Sequence, residues 1–110
     1  MKSIYISLPI TGQEETYEAR LNAAVEYVKA KCPEYKQIFT PKELAEELDD
    51  YYWICYRKKP SYKDYLLNDI EKIAHCDAIF MCRFSLKSKG CQAEYAFARA
   101  IGIEILWQPL

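Results

Sequence analysis

Two aspartates, a glutamate and a tyrosine carry the chemistry this sequence could perform. Glu94 closes the stretch Ser88-Lys89-Gly90-Cys91-Gln92-Ala93-Glu94, which leaves a buried strand and opens a helix. Free amides in a first helical turn can hold an anion, and Gly90 lets a ligand approach the backbone closely. Glu94 falls about one turn inside that helix, where the dipole favours an ionised carboxylate. Such a group is a nucleophile or a base; position alone favours a glutamate that only stabilises the helix terminus. Asp69 sits among inward-facing residues of the preceding helix, where an aspartate is poor for helix propensity and costly to desolvate without a partner. It is either a functional acid or half of an ion pair with a nearby lysine. Asp77, between that helix and the next strand, reads as a turn cap. Tyr5 points to the strand face opposite Ile4 and Ile6, where its buried hydroxyl needs a partner such as a carboxylate at the strand ends. A plain core tyrosine is the alternative.

Other chemistries find little support. His75 is the only histidine and lies at the end of a predicted helix, where a cation suits the dipole. Cys32, Cys55, Cys76, Cys82 and Cys91 are odd in number and form no C-x-x-C pair, so neither a zinc site nor a disulfide framework is expected. The chain lacks a G-x-G-x-x-G turn and a Walker lysine loop, which disfavours dinucleotide and P-loop sites. No metal and no cofactor is expected.

These residues need a scaffold, and the apolar pattern describes one. Ile4 to Leu8 alternates as a strand, with Ile4, Ile6 and Leu8 on one face and Tyr5 and Ser7 on the other. Pro9 to Gln13 breaks it. Glu14 to Lys31 has helical spacing, with Tyr17, Leu21, Ala24, Val25 and Val28 on one stripe, and Cys32-Pro33 ends it. Lys36 to Phe39 is a short strand. Thr40 as N-cap, Pro41 at N1 and Glu43 at N3 open a second helix. Asp49 to Pro60, with Tyr51, Tyr52, Trp53 and Tyr56, fits either the tail of that helix or a loop over a pocket or against another subunit. Ser61-x-x-Asp64 starts a helix to His75, with Tyr65, Leu66, Ile70, Ile73 and Ala74 facing inward. Ala78 to Phe84 reads as a buried strand, Ser85 to Lys89 as a polar loop, and Gly90 to Ile101 as a helix stopped by Gly102. Ile103 to Trp107 is a last strand.

Alternating strands and helices imply a single α/β domain spanning 1–110. The expected fold is three-layered and Rossmann/flavodoxin-like: a parallel sheet of four to five strands with helices on both faces. Ligands in such sheets sit beyond the carboxyl ends of the strands, where strand order reverses. Ser7 to Gln13, Phe39 to Glu43 and Arg83 to Gly90 lead out of those ends. Fifteen basic and sixteen acidic residues give a net charge of −1, so no nucleic acid polymer or anionic membrane is expected as partner. Arg57, Lys58 and Lys59 read as a solvated loop. No apolar stretch is long enough to span a bilayer, the start at Met1 shows no signal-peptide core, and cysteine usage is that of a reducing compartment. A cytoplasmic location is expected.

Taken together, I-Y-I-S-L-P-I-T-G, N-D-I-E-K-I-A-H-C-D-A-I-F-M and S-K-G-C-Q-A-E-Y-A-F-A-R-A-I-G resemble the nucleoside 2-deoxyribosyltransferase superfamily, in particular its branch of small bacterial and phage domains of the DUF4406 type. Their order and spacing carry the resemblance from Ile4 to about Leu106. It implies that Glu94 is a nucleophile forming a glycosyl ester at C1′, that Tyr5 orients it, and that Asp69 protonates the leaving base. Ser88, Gly90, Ser7 and Pro9 are the implied substrate contacts. The transferases carry an aspartate where Ser88 stands; serine is similar to the nucleotide N-hydrolase branch, where that loop meets a 5′-phosphate. The resemblance implies a small nucleoside or nucleotide as ligand, and a homo-oligomer. A catalytically silent nucleotide-binding module is the alternative.

Overall fold

The computed structural model describes residues 1–9 and 14–109. Four parallel strands, β1 (Lys2–Ser7), β2 (Tyr35–Phe39), β3 (Ala78–Met81) and β4 (Glu104–Trp107), form one sheet in the order β2-β1-β3-β4. The helices are α1 (Tyr17–Lys31), α2 (Pro41–Tyr56), α3 (Tyr62–Ala74) and α4 (Lys89–Ile101), with single 3₁₀ turns at Glu14–Thr16 and Ser85–Lys87. This is the expected flavodoxin-like arrangement, with the lower of the two expected strand counts.

The alternation in β1 sorts the core into two halves. Ile4, Ile6 and Leu8 pack with Phe80 of β3 against Tyr17, Leu21, Ala24 and Val28 of α1. Tyr5, Ile79 and Met81 face the other way, onto Leu44 of α2, Ile73 of α3 and Cys91 and Ala98 of α4. Each buried Ile, Leu or Phe stabilises the fold by roughly 1.5–3 kcal/mol. The buried residues of β1 are therefore apolar except at Ser3, Tyr5 and Ser7. Chain order reverses between β1 and β3, and the carboxyl ends of these two strands frame the site.

The caps act largely as their residue types dictate. The Thr40 hydroxyl accepts from the Glu43 amide at 3.3 Å with Pro41 at N1, but the Glu43 carboxylate takes the Thr40 hydroxyl, not its backbone amide. Ser61 and Asp64 make the reciprocal box, at 3.2 and 2.8 Å. Gly102 ends α4 at φ 80°, a conformation that costs glycine little.

Of the readings open for Asp49 to Pro60, the helical tail is the one realised: Asp49 to Tyr56 continues α2, which stops where Arg57 turns left-handed and its amide bonds the Trp53 carbonyl at 3.2 Å. Three expectations are corrected. β3 ends at Met81, short of Phe84: the Ser85 amide returns to the Cys82 carbonyl at 3.1 Å, and Phe84 turns left-handed with its ring exposed. Ser85 to Lys89 is a 3₁₀ turn followed by the first residue of α4, not an open loop. Ala74 is exposed at the last residue of α3. The expected break over Pro9 to Gln13 lies, from Ile10 onward, outside the described residues.

Candidate active site

Glu94 is 5 % exposed, and both of its carboxylate oxygens are held. The Tyr5 hydroxyl donates to Oε2 at 3.0 Å and the Ser7 hydroxyl donates to Oε1 at 2.8 Å. Tyr5 and Ser7 are two residues apart on β1, so they share a face, and their register with Ile79 and Met81 places both at the carboxyl end of the sheet. Ser88 is the N-cap of α4; its hydroxyl accepts from the Cys91 amide at 3.4 Å. Lys89 and Gly90 follow in the first turn, whose amides have no carbonyl to bond within the helix. Gly90 is packed from outside: a Cβ there would lie 3.0 Å from the Tyr62 hydroxyl.

Asp69 comes from α3 and interacts with both the Tyr5 hydroxyl and the Glu94 carboxyl. The ion pair with a lysine is not made; among the described residues the salt bridge found is Lys42 with Glu18, away from the site. A cavity of about 300 Å³ opens over these groups. Leu8 and Pro9 line it at the end of β1, Pro41 and Ala45 on α2, Tyr62, Tyr65, Leu66 and Asp69 on α3, and Ser88, Gly90, Cys91 and Glu94 on α4. That volume stands at the lower end of small-molecule sites.

Burial lifts both carboxyl groups, because a desolvated charge is costly. Glu94 is pushed up to about 8, by desolvation first and by Asp69 second, against the pull of the Ser7 and Tyr5 hydroxyls. The helix dipole that favours an ionised Glu94 is outweighed. Asp69 is raised to about 6 by desolvation, opposed by its bonds to Tyr5 and Glu94. The two titrate as one system holding a single proton across the neutral range. Tyr5 is driven well above the ordinary tyrosine range by burial and then by Glu94 and Asp69, and stays a donor. Cys91 is raised to about 11, mainly by burial, so at neutral pH it is a thiol and no rival nucleophile.

Every expected site residue reaches the cavity wall or the network beneath it. The Ser7 hydroxyl is turned to Glu94 and does not line the cavity. Asp77 is structural, as its position implies: its carboxylate accepts from the Ser3 amide at 2.8 Å, and its own amide bonds the Ser3 carbonyl at 2.9 Å. His75 caps α3 away from the cavity. Tyr51, Tyr52, Trp53 and Tyr56 do not line the cavity either. Its aromatic wall comes from Tyr62 and Tyr65, which sequence reasoning missed; they precede Asp69 by seven and four residues on one helical stripe. Among the described residues no group of three or more His, Cys, Asp or Glu side chains could hold a metal, and no helix is long and apolar enough to cross a membrane.

At the switch point of a parallel α/β sheet the structure thus sets a tyrosine-held glutamate beside a second carboxyl. The chain belongs to the family described as Domain of unknown function (DUF4406), whose model matches residues 2–107. No curated protein sequence matches it. Its fold is similar to that of a 2-desoxiribosyltransferase from Leishmania mexicana, with a TM-score of 0.62 and 22 % identity. The match covers 97 % of this chain and 63 % of the other, so the chain spans under two thirds of that protein's length.

Proposed function

We propose that this domain breaks the N-glycosidic bond of a 2′-deoxynucleoside or its 5′-monophosphate, with Glu94 as nucleophile. The observation that carries the reading is the Glu94 carboxylate, gripped by Tyr5 and Ser7 and paired with Asp69 on one cavity wall. A glutamate needed only for helix stability would be exposed, since burial of a carboxyl in this way costs stability.

The proposed reaction begins with the single proton of the pair passing from Glu94 to Asp69 across the bond between them. An ionised Glu94 oxygen attacks C1′, the C1′–N bond breaks, and its electron pair leaves with the base, which takes the Asp69 proton. Positive charge developing at C1′ favours the ionised form of Glu94 at that moment, and Tyr5 and Ser7 hold it in place. The glycosyl ester is then opened by water or a second base attacking C1′. Asp69 accepts the proton lost by the attacking group, and Glu94 departs as carboxylate. Ser88 and the Lys89 and Gly90 amides lie one to two turns before Glu94 and would meet the 5′ end of the sugar, where they suit a phosphate. A small nucleoside or nucleotide is the ligand this implies, and a homo-oligomer fits the exposed apolar residues of α2.

A silent nucleotide-binding module is supported by one observation: the Glu94 carboxyl, pushed up to about 8, is largely protonated in the empty site. One assay separates the two. The protein is incubated with deoxynucleosides and their monophosphates, and released base is followed by chromatography. Release abolished in Glu94→Ala supports the enzyme. Tight nucleotide binding without turnover, unchanged in Glu94→Ala, refutes it.

A further inference from the structure

Asp69 shares its face of α3 with two other cavity residues. Tyr65 and Leu66 precede it by four and three residues, spacings that set side chains about 5–6 Å apart at Cβ, and all three line the cavity. Helical side chains lean toward the N-terminus, which carries the Asp69 carboxyl toward the turn that holds Tyr65. A ring that takes a proton from Asp69 therefore comes beside Tyr65. That tyrosine is also held from behind: its hydroxyl donates to the Asp49 carboxylate on α2. The bond pushes the Tyr65 phenol up to about 12, ahead of burial, so it stays a donor at neutral pH. Tyr52 of α2 and Asp64 of α3 interact in the reverse sense. α2 buries only Pro41 and Leu44, near its start, and α3 only Ile73, near its end. These tyrosine–aspartate contacts thus cross the part of the helix pair that no buried side chain ties together.

We propose that Tyr65 is the platform on which the nucleobase stacks, and that Asp49 is a positioning residue that fixes its ring. The proposal rests on reading the cavity as a nucleoside or nucleotide site, and it narrows the ligand class. Leu8, Pro9, Pro41 and Ala45, the lining from β1 and α2, have no side-chain hydrogen-bonding group. A base beside Asp69 is thus gripped by its ring face, and the pattern of its exocyclic groups matters little. A deoxyribose or its phosphate without a base gains nothing from Tyr65. Stacking on one aromatic side chain is worth roughly ten- to hundredfold in affinity. Asp49 does not line the cavity and acts only through the Tyr65 hydroxyl. Holding that ring in place before binding spares an ordering cost of about two- to tenfold.

The test is calorimetric titration of the full chain, carrying Glu94→Gln so that nothing turns over. The probes are the common 2′-deoxynucleosides and their 5′-monophosphates, with 2-deoxyribose and its 5-phosphate as base-free controls. Each base-bearing probe is expected to bind about tenfold or more tighter than its control, with smaller differences among the bases. Tyr65→Ala should weaken the base-bearing probes about ten- to hundredfold and leave the controls unmoved. Tyr65→Trp keeps a ring and should recover most of the loss, which separates stacking from a loosened helix pair. Asp49→Ala and Tyr65→Phe should each cost about two- to tenfold, and the double variant no more than either, because both remove one bond. Equal losses for probes and controls overturn the proposal, as does affinity indifferent to Tyr65→Ala. Additive losses for Asp49→Ala and Tyr65→Phe remove Asp49 from the positioning role. The catalytic reading fails separately: no base released by the unaltered protein, with the Tyr65 dependence of binding intact, removes the nucleophile and leaves the platform. No binding of any nucleoside or nucleotide overturns both.

Discussion

Replacing Glu94 by glutamine should stabilise the protein in alkali while removing its proposed nucleophile. An acid whose folded pKa is raised contributes stability that is fully present below its unfolded value and is lost as pH rises through the folded one. For Glu94 the window runs from its ordinary 4.5 up to about 8. At about 1.4 kcal/mol per pKa unit, the ionisable glutamate costs up to roughly 4–5 kcal/mol at alkaline pH relative to a neutral isostere. Coupling to Asp69 shares part of this, so about 2–4 kcal/mol is the expected difference at about pH 9, and little at about pH 5. Glutamine keeps an oxygen for one hydroxyl donor and can turn its amide hydrogens to Asp69. Taking roughly 4 °C per kcal/mol for a domain of this length, the variant should melt about 8–16 °C above the unaltered protein at the higher pH. Thermal melts of both proteins in matched buffers across that range supply the measurement. Parallel stability curves would refute the reasoning, since they would mean that Glu94 titrates no differently in the folded and unfolded chain.

The same pair sets the pH profile of any base release: kcat/KM should form a bell with limbs near about 6 and about 8. Asp69→Asn should lower the rate by about 10²–10⁴ with natural bases, and much less with a leaving group that needs no proton. Equal losses for both substrates would remove Asp69 from the acid role. Tyr5→Phe deletes one of the two donors to Glu94, worth about 1.5–3 kcal/mol for a charged acceptor. A rate loss of about ten- to hundredfold, without unfolding by circular dichroism, is the expected result. Gly90→Ala places a methyl 3.0 Å from the Tyr62 hydroxyl. Because Tyr62 is exposed and can swing away, the melting temperature should barely move while KM rises; a large loss of stability would show that the contact holds the fold.

Much of the frame was legible because it follows from periodicity and local chemistry. Period-two alternation in Ile4 to Leu8 separates Tyr5 and Ser7 from Ile4 and Ile6, and the structure puts those pairs in different halves of the core. Thr40, Ser61 and Gly102 are caps whose side chains or conformational freedom act within one turn. The Ser7–Glu94 bond was not legible: it joins residues 87 positions apart and depends on strand register. Nor was the dominance of burial over the helix dipole at Glu94, since the dipole is a property of its own helix and the burial is supplied by β1, α3 and the cavity rim.

The Tyr51–Tyr56 segment was hard to place for a related reason. Helical periodicity normally reveals itself by an apolar stripe turned to the core, and α2 buries only Pro41 and Leu44. Its second apolar stripe, Trp53 and Ile54, points outward, so the pattern has no single inward face and resembles a loop. A helix with two apolar faces is expected when one belongs to the fold and the other to an interface. The difficulty in the sequence and the exposed face in the structure thus have one cause.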